Sequence, residues 1–314
     1  MKPRKPAYKR IMTPILSILL LPAIINSAGA SGHFIYWSDY GCDAIMGVRE
    51  NDPEEFILVD NLPHPLGIFF DHQAMAIYWG DAVSDKIQRY DIVNDLVEDV
   101  VVDVDIPNSV VLDSENGMVY WTECGPDGVY RASLDGSVRE VLLSGLKAPD
   151  GLALDLKAGK MYFSQGGIGK IQRANLDGSD LEDVILSQWC QGIALDTENG
   201  KIYWTVNEVS SSSRIMRADL DGNNAEVLVS SGLLSPTSIA LDLTEGRMYW
   251  SDQGTDSQRI KKIERANLDG TGVEEIISFE EEDCEKPFRI AIVPSYPIQA
   301  EEKSWGKIKN TFRP

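Results

Sequence analysis

Basic side chains are scarce in this chain of 314 residues: 29 Lys and Arg stand against 49 Asp and Glu, a formal charge of −20. Phosphate recognition needs a clustered cationic surface, so nucleic acid is excluded as a partner and anionic membranes are disfavoured. Histidine is scarcer still, with only His33, His64 and His72. None lies in a His-Glu-x-x-His pair, and no Gly-x-Ser-x-Gly turn is present, so zinc proteolysis and Ser-His hydrolysis lack their parts. The four cysteines contain no Cys-x-x-Cys pair, which removes the usual zinc and thioredoxin readings. Gly166-Gly167-Ile168-Gly169 leads into a predicted strand instead of a helix, so it reads as a turn and not as a phosphate cradle. No apolar run reaches the ~20 residues that a bilayer span requires.

The longest apolar run, Ile11 to Ile25, follows a basic head of Lys2, Arg4, Lys5, Lys9 and Arg10 and precedes Ala28-Gly29-Ala30. Basic head, short apolar stretch and small-x-small site predict a secretory signal over residues 1–30. Its removal takes away five positive charges and no negative ones, so the mature chain would carry −25. That chain is expected to be secreted or otherwise extracytoplasmic (periplasmic if the source is bacterial), with no membrane span.

Repetition is what the sequence has in abundance. Tyr36-Trp37, Tyr78-Trp79, Tyr120-Trp121, Tyr162-Phe163, Tyr203-Trp204 and Tyr249-Trp250 are spaced by 42, 42, 42, 41 and 46 residues. Each pair after the first follows an apolar run ending in Asp, such as Gly192–Asp196. After it come a polar loop, a run such as Ile171–Leu176, a turn such as Asp177-Gly178 suited to a tight hairpin, and a last apolar run. Four short β-rich runs per repeat, six times over, predict an all-β, six-bladed β-propeller of four-stranded antiparallel blades. A solenoid is disfavoured because no polar capping repeats stand at the ends. The first repeat lacks its leading strand, and Pro287–Ile292 supplies one at the far end of the chain. The C-terminal strand is therefore expected to pair with Phe34–Trp37 and close the ring over residues 31–294, leaving 295–314 as a tail.

The pairs, with Ser38-Asp39, Gly80-Asp81, Thr122-Glu123 and Ser251-Asp252 after them, resemble the YWTD (class B) repeats of low-density lipoprotein receptors. The Ile-x-Arg-Ala-x-Leu-Asp-Gly stretch, with Arg131, Arg173, Arg217 and Arg265 and a degenerate copy at Arg89, belongs to the same resemblance. Departures are Phe163 for Trp, Gln165 and Val206 for the carboxylate, and Gly47 for Arg. If these carboxylates and arginines pair, as the resemblance suggests, blades one, four and five each lack a partner. The Tyr and Trp side chains are expected to be structural wedges between blades.

The resemblance also implies that protein ligands bind the broad loop face. There, residues just after the start of each first strand should ring the channel mouth: Leu66, Asn108, Asp150, Gln191, Thr237 and Phe288. Trp189 lies outside the Tyr-Trp register on a loop leading into a first strand, where aromatics favour interfaces. His64 sits on the same face. The candidate ligand-binding set is thus Trp189, Asp150, Asn108, Gln191, Phe288 and His64, in a non-enzymatic module for a protein or peptide. Acidic loops, above all Glu280, Glu281, Glu282, Asp283 and Glu285 with Asp43, Asp85, Asp105, Asp127 and Asp256, would steer a basic partner. Trp305 in the tail is a lesser candidate.

No cofactor is expected. Asn108, Asp150 and Gln191 leave calcium in the channel as the alternative, which would go with a lactonase-like hydrolase of the six-bladed class. One carboxylate is few for such a cation. A cell-envelope carbohydrate-binding or structural role is the remaining reading. Cys42 and Cys284 should meet where the ring closes and could bridge, whereas Cys124 and Cys190 belong to loops too far apart.

Overall fold

The structure is a computed structural model that describes residues 33–50, 52–186, 189–208, 212–255, 261–279 and 286–293. The predicted signal, the tail with Trp305, Asp256, Cys284 and the acidic run at 280–285 lie outside the described residues. Among those described there is no helix; 24 strands form six four-stranded antiparallel sheets. Blade 2 shows the pattern: an inner strand at Pro65–Asp71, then Ala76–Asp81, Lys86–Asp91 and an outer strand at Leu96–Val102. The other inner strands are Pro107–Asp113, Pro149–Asp155, Cys190–Asp196 and Pro236–Asp242 for blades 3 to 6, and Pro287–Val293 for blade 1.

Blade 1 is the closure. Its inner strand comes from the C-terminal end and pairs antiparallel with Phe34–Asp39, placing Phe34 opposite Val293 and Trp37 opposite Ile290. Inner strands contact one another in sequence around the ring, and blade 1 contacts both blade 6 and blade 2. The C-terminal strand thus gives blade 1 the same four strands as every other blade.

Alternation along the second strand explains the Tyr-Trp pairs, because neighbouring side chains point to opposite faces of a sheet. Tyr120 packs with Phe163, Tyr162 with Trp204, Tyr203 with Trp250, and Tyr249 with Trp37. Each Tyr thus meets the Trp or Phe of the following blade, and all are buried. The Trp37 indole N–H donates to Asp39 and that of Trp121 to Glu123 at 2.7 Å. In blade 4, where Gln165 replaces the carboxylate, Phe163 has no N–H to satisfy. Blade 5 keeps Trp204 beside Val206, and its buried indole N–H has no hydrogen bond.

The expected pairing of motif carboxylates with motif arginines does not occur, because the two sit at opposite ends of the blade. The carboxylates fix the loop that leads into the inner strand. Asp81 accepts from His64 N–H at 3.1 Å, and Asp252 accepts from Leu234 and Ser235 N–H at 2.7 and 2.8 Å. Gln165 does the same in blade 4, accepting from Lys147 N–H at 2.6 Å. The arginines instead pair across to the outer strand, Arg173 with Glu182 and Arg217 with Glu226. They also reach the next blade: Arg131 donates to Leu176 O at 3.1 Å, Arg173 to Leu220 O at 3.1 Å and Arg217 to Leu268 O at 2.9 Å.

Gly47 marks where blade 1 departs. It lies opposite Tyr36. A Cβ there would stand 2.7 Å from the Phe56 ring and 2.9 Å from Tyr36, so glycine admits Phe56 edge-on against Tyr36. The Asp-Gly turns differ from a two-residue hairpin. Asn175 N–H donates to Ser179 O at 2.8 Å and Gly178 N–H to Asn175 O at 2.9 Å, a three-residue loop with Gly178 at φ +86°.

Candidate functional site

On one face of the ring, two loops of each blade meet: the lead-in to the inner strand and the turn between the second and third strands. Ala82 N–H donates to His64 O, Cys124 N–H to Ile106 O, Gly166 N–H to Ala148 O and Asn207 N–H to Trp189 O, at 3.0 to 3.2 Å. Asp43, Asp85 and Asp127 occupy these turns at φ of 55°, 56° and 53°, a left-handed conformation that Asp tolerates better than most residues. Three of the acidic residues proposed to steer a partner are therefore also turn formers.

The six candidate residues separate into distinct groups. Asn108 and Asp150 are buried, and the Asn108 amide donates to Asp150 Oδ1 at 2.9 Å. Their third partner escaped the sequence reading. Arg289, on the inner strand of blade 1, places Nη2 against Asp150 Oδ1 and donates from Nη1 to Thr237 O at 2.8 Å. Blade 4 lies diametrically opposite blade 1, so the guanidinium crosses the channel. Only 5% of Arg289 is exposed. Burial pulls its guanidinium down to about 10, which leaves it charged at neutral pH. Inner-strand register offered the signal: Gly67, Ser109, Gly151, Gly192, Ser238 and Arg289 hold the same place, and five small residues leave room for one long one.

Phe288 and His64 come together around Tyr40, a second residue missed from sequence. Tyr40 lies 5.1 Å from the His64 ring and 5.9 Å, edge-on, from Phe288. Lys286 Nζ stands 5.4 Å above Tyr40, and the Arg289 guanidinium lies 4.8 Å from the Phe288 ring. The Tyr40 hydroxyl reaches Gln253 of blade 6 at 3.5 Å. All three rings are half-buried. Cation and aromatic faces stacked this way add attraction beyond area burial.

Trp189 stands apart on the lead-in to blade 5, 59% exposed. Its φ of +49° is matched by Ile106 and Ala148 at the same place in blades 3 and 4, so this backbone belongs to the repeat. Gln191 half-faces the mouth and accepts from the Asn207 amide at 3.3 Å. Cys124 and Cys190 are free; burial raises both thiols, Cys190 to about 11, so neither is a ready nucleophile. Cys42 is disulfide-bonded, and Cys284 lies outside the described residues.

The low-density lipoprotein receptor repeat class B family model matches residues 117–156, the end of one blade and the start of the next. The chain is a six-bladed propeller with a class B repeat match in this stretch. Mouse nidogen-2 is 42% identical over 81 residues, which is 26% of this chain and 5% of nidogen-2. The human low-density lipoprotein receptor-related protein 5-like protein is 41% identical over 81 residues, 26% of this chain and 29% of that one. The matched stretches thus span less than a third of either relative. Among solved structures, a chain of the nidogen/laminin complex superposes with a TM-score of 0.69 at 18% identity, covering 84% of this chain and 99% of that chain. A gluconolactonase of Xanthomonas campestris superposes with a TM-score of 0.59 at 18% identity, covering 71% of this chain and 82% of that one. At such identity these two report the fold.

Beneath the Arg289 cross-piece, the channel of this propeller is a cavity of about 380 Å³. Ile68, Val110, Leu152, Ile193, Ile239 and Ile290 ring it at one level. Its far mouth lies at the opposite face, where His72 and the half-exposed Leu156 line it. Among the described residues no three or more acidic, His or Cys side chains group as metal ligands.

Proposed function

We propose that this propeller is a secreted, non-enzymatic module that takes a protein or peptide on its loop face. The observation that carries the reading is the Tyr40–His64–Phe288 cluster, three half-buried rings with Lys286 and Gln253 beside them at the junction of blades 1, 2 and 6. Half-buried aromatics beside fixed polar groups make anchor sites at interfaces. Trp189, largely exposed on the same face, offers a second anchor at blade 5. Export agrees with the residue 1–30 pattern and with the similarity to nidogen, whose structural counterpart was solved with laminin.

A channel metal has less support. The Arg289 guanidinium already neutralises Asp150 and would repel a divalent cation beside it. Asp150 and Asn108 therefore hold the mouth of the site in shape and the aromatic cluster makes the contacts. Photo-cross-linking from positions 40 and 189 in the native medium, compared with Tyr40→Ala and Trp189→Ala pull-downs, tests this. Partners recovered by the wild type should be lost from Tyr40→Ala. Equal recovery by both variants would reject the loop-face site, and binding indifferent to added salt would reject a basic partner.

A further inference from the structure

The third strands of blades 2 and 4, Lys86–Asp91 and Lys170–Asn175, begin with the same four residues, Lys-Ile-Gln-Arg. Within the blade they also make the same contacts. Lys86 and Gln88 bond to Asp99 as Lys170 and Gln172 do to Asp183, and Arg89 pairs with Glu98 as Arg173 does with Glu182. Between blades they part. Arg173 goes on to donate to Leu220 O at 3.1 Å, whereas Arg89 donates to Glu98 and, among the described residues, to no carbonyl of blade 3.

A second fastener follows the same division. From blade 4 onward, the turn glycine of a blade presses on a bulged carbonyl of the outer strand before it: Gly178 on Leu142 O, Gly222 on Val184 O and Gly270 on Leu228 O. A Cβ at any of the three would collide with that carbonyl, so only glycine admits the approach. Gly136 of blade 3 stands clear. Ser133 N–H bonds to Val138 O, one residue further along than Asn175 to Ser179 O, and a Cβ on Gly136 would meet nothing within 4 Å. Blade 2 has Val93-Asn94 at the place of Asp177-Gly178, and Val93 is 56% exposed. Blade 1 has Gly47 opposite Phe56 where blade 4 has Arg173 opposite Glu182. Among the described residues, then, both joints of blade 2 lack both fasteners at the face opposite the loops. At the loop face they keep ties: Leu62 N–H to Asp43 O at 2.9 Å, and Arg139 to Val102 O and Asp103 O at 3.0 and 2.9 Å.

We propose that the outer half of blade 2, Lys86–Val102, is a hinged element of the propeller. It swings away from blades 1 and 3 at the face opposite the loops while the rest of the ring stays folded. Its loop-face end, held by the ties at Leu62 and Arg139, is the pivot. Opening of part of a fold takes place where the fewest contacts cross to the remainder, and blade 2 has lost the two that the repeat supplies.

Hydrogen–deuterium exchange of the full mature protein, resolved to single amides, tests this. The shared Lys-Ile-Gln-Arg sequence gives the two strands nearly equal intrinsic exchange rates, so a difference between them reports protection. Amides of residues 87–89 should exchange at least about tenfold faster than those of 171–173, the strength of one hydrogen bond from a charged donor. Arg173→Ala should bring 171–173 toward the blade 2 rates. Arg89→Ala, which removes only an exposed pair within its own blade, should leave 87 and 88 within about twofold of the wild type. Gly47→Arg with Phe56→Glu restores the repeat's ion pair at the joint with blade 1 and should slow exchange at 87–89 by about tenfold. Should that double variant fail to fold, the wild-type comparison and Arg173→Ala decide by themselves. Equal protection of the two strands in the wild type, unchanged exchange in Arg173→Ala, or unchanged exchange in a folded double variant would overturn the hinge.

Discussion

Blade 1 and the blades of the plain repeat solve the same joining problem with different chemistry. At the joints after blades 3, 4 and 5, the motif arginine reaches a backbone carbonyl of the next blade, as Arg173 does to Leu220 O. At the joint between blades 6 and 1, Arg265 instead meets the Glu50 carboxylate, which also accepts from the Tyr249 hydroxyl at 2.8 Å. Blade 1 then adds contacts that no repeat predicts. His33 Nδ1 lies 3.1 Å from Asp242, Cys42 is disulfide-bonded, and Arg289 crosses to blade 4. The chain itself ties each blade to the next. Within blade 1, however, the inner strand and Phe34–Asp39 come from opposite ends of the chain, and there charged and covalent links are added.

The sharpest way to break this comparison is at the cross-piece. Arg289→Ser gives blade 1 the small residue used in blades 3 and 6, and strands Asp150 without its cation. We expect a loss of about 3–5 kcal/mol in urea unfolding, most of it recovered in Arg289→Ser with Asp150→Asn. If the single variant unfolds at the wild-type urea concentration, the cross-piece is not a brace. Cys42→Ser is expected to cost about 2–5 kcal/mol, against less than about 1 kcal/mol for Cys124→Ser. Thiol titration of the unreduced, unfolded protein should count two free thiols; four would remove the bridge.

Next comes the joint itself. Glu50→Gln removes a shared charged acceptor and should cost about 1.5–3 kcal/mol, whereas Glu182→Gln on the exposed edge of blade 4 should leave the midpoint nearly unchanged. Equal effects would mean that closure and repeat joints are energetically alike.

The smallest effect is the pH profile. Hydrogen bonds from Arg173 and Arg265 hold Glu182 and Glu274 below the usual carboxylate range. Their contribution is present above that range and is lost as pH falls through their folded values. Burial pushes Asp39 and Glu123 the other way, so protonating them favours the folded state. Stability should therefore rise slightly as pH falls toward the usual carboxylate range and drop once pH falls below it. Asp39→Asn should flatten the upper arm, and Glu274→Gln should weaken the acid limb, both read from urea midpoints.

How legible a residue was in the sequence followed its place in the period. The Tyr-Trp pairs and the Asp that ends five of the six inner strands recur at fixed intervals, the C-terminal strand fills the one place left in that pattern, and the structure places them as expected. The deviations carried their reasons only in space. Gly47 needed the Phe56 ring to explain it, and Gln165 and Phe163 make sense together once the missing indole N–H is considered. Of the candidate site, Phe288 and His64 were named without Tyr40, which joins them. Asp150 was named without Arg289, which occupies it.

By itself the sequence determined the blades, their number, the alternation that wedges Tyr against the next Trp, and the strand that closes the ring. All of these are set by local hydrophobic period and by the need to complete the blade that the N-terminal end leaves one strand short. Only the tertiary structure decided which side chains meet across the channel. A repeat assigns every residue a blade and a height, and Arg289 and Asp150 stand one register step apart on opposite blades. Whether one long side chain spans the gap depends on the small residues that clear its path and on the burial that makes an unpaired charge too costly to leave.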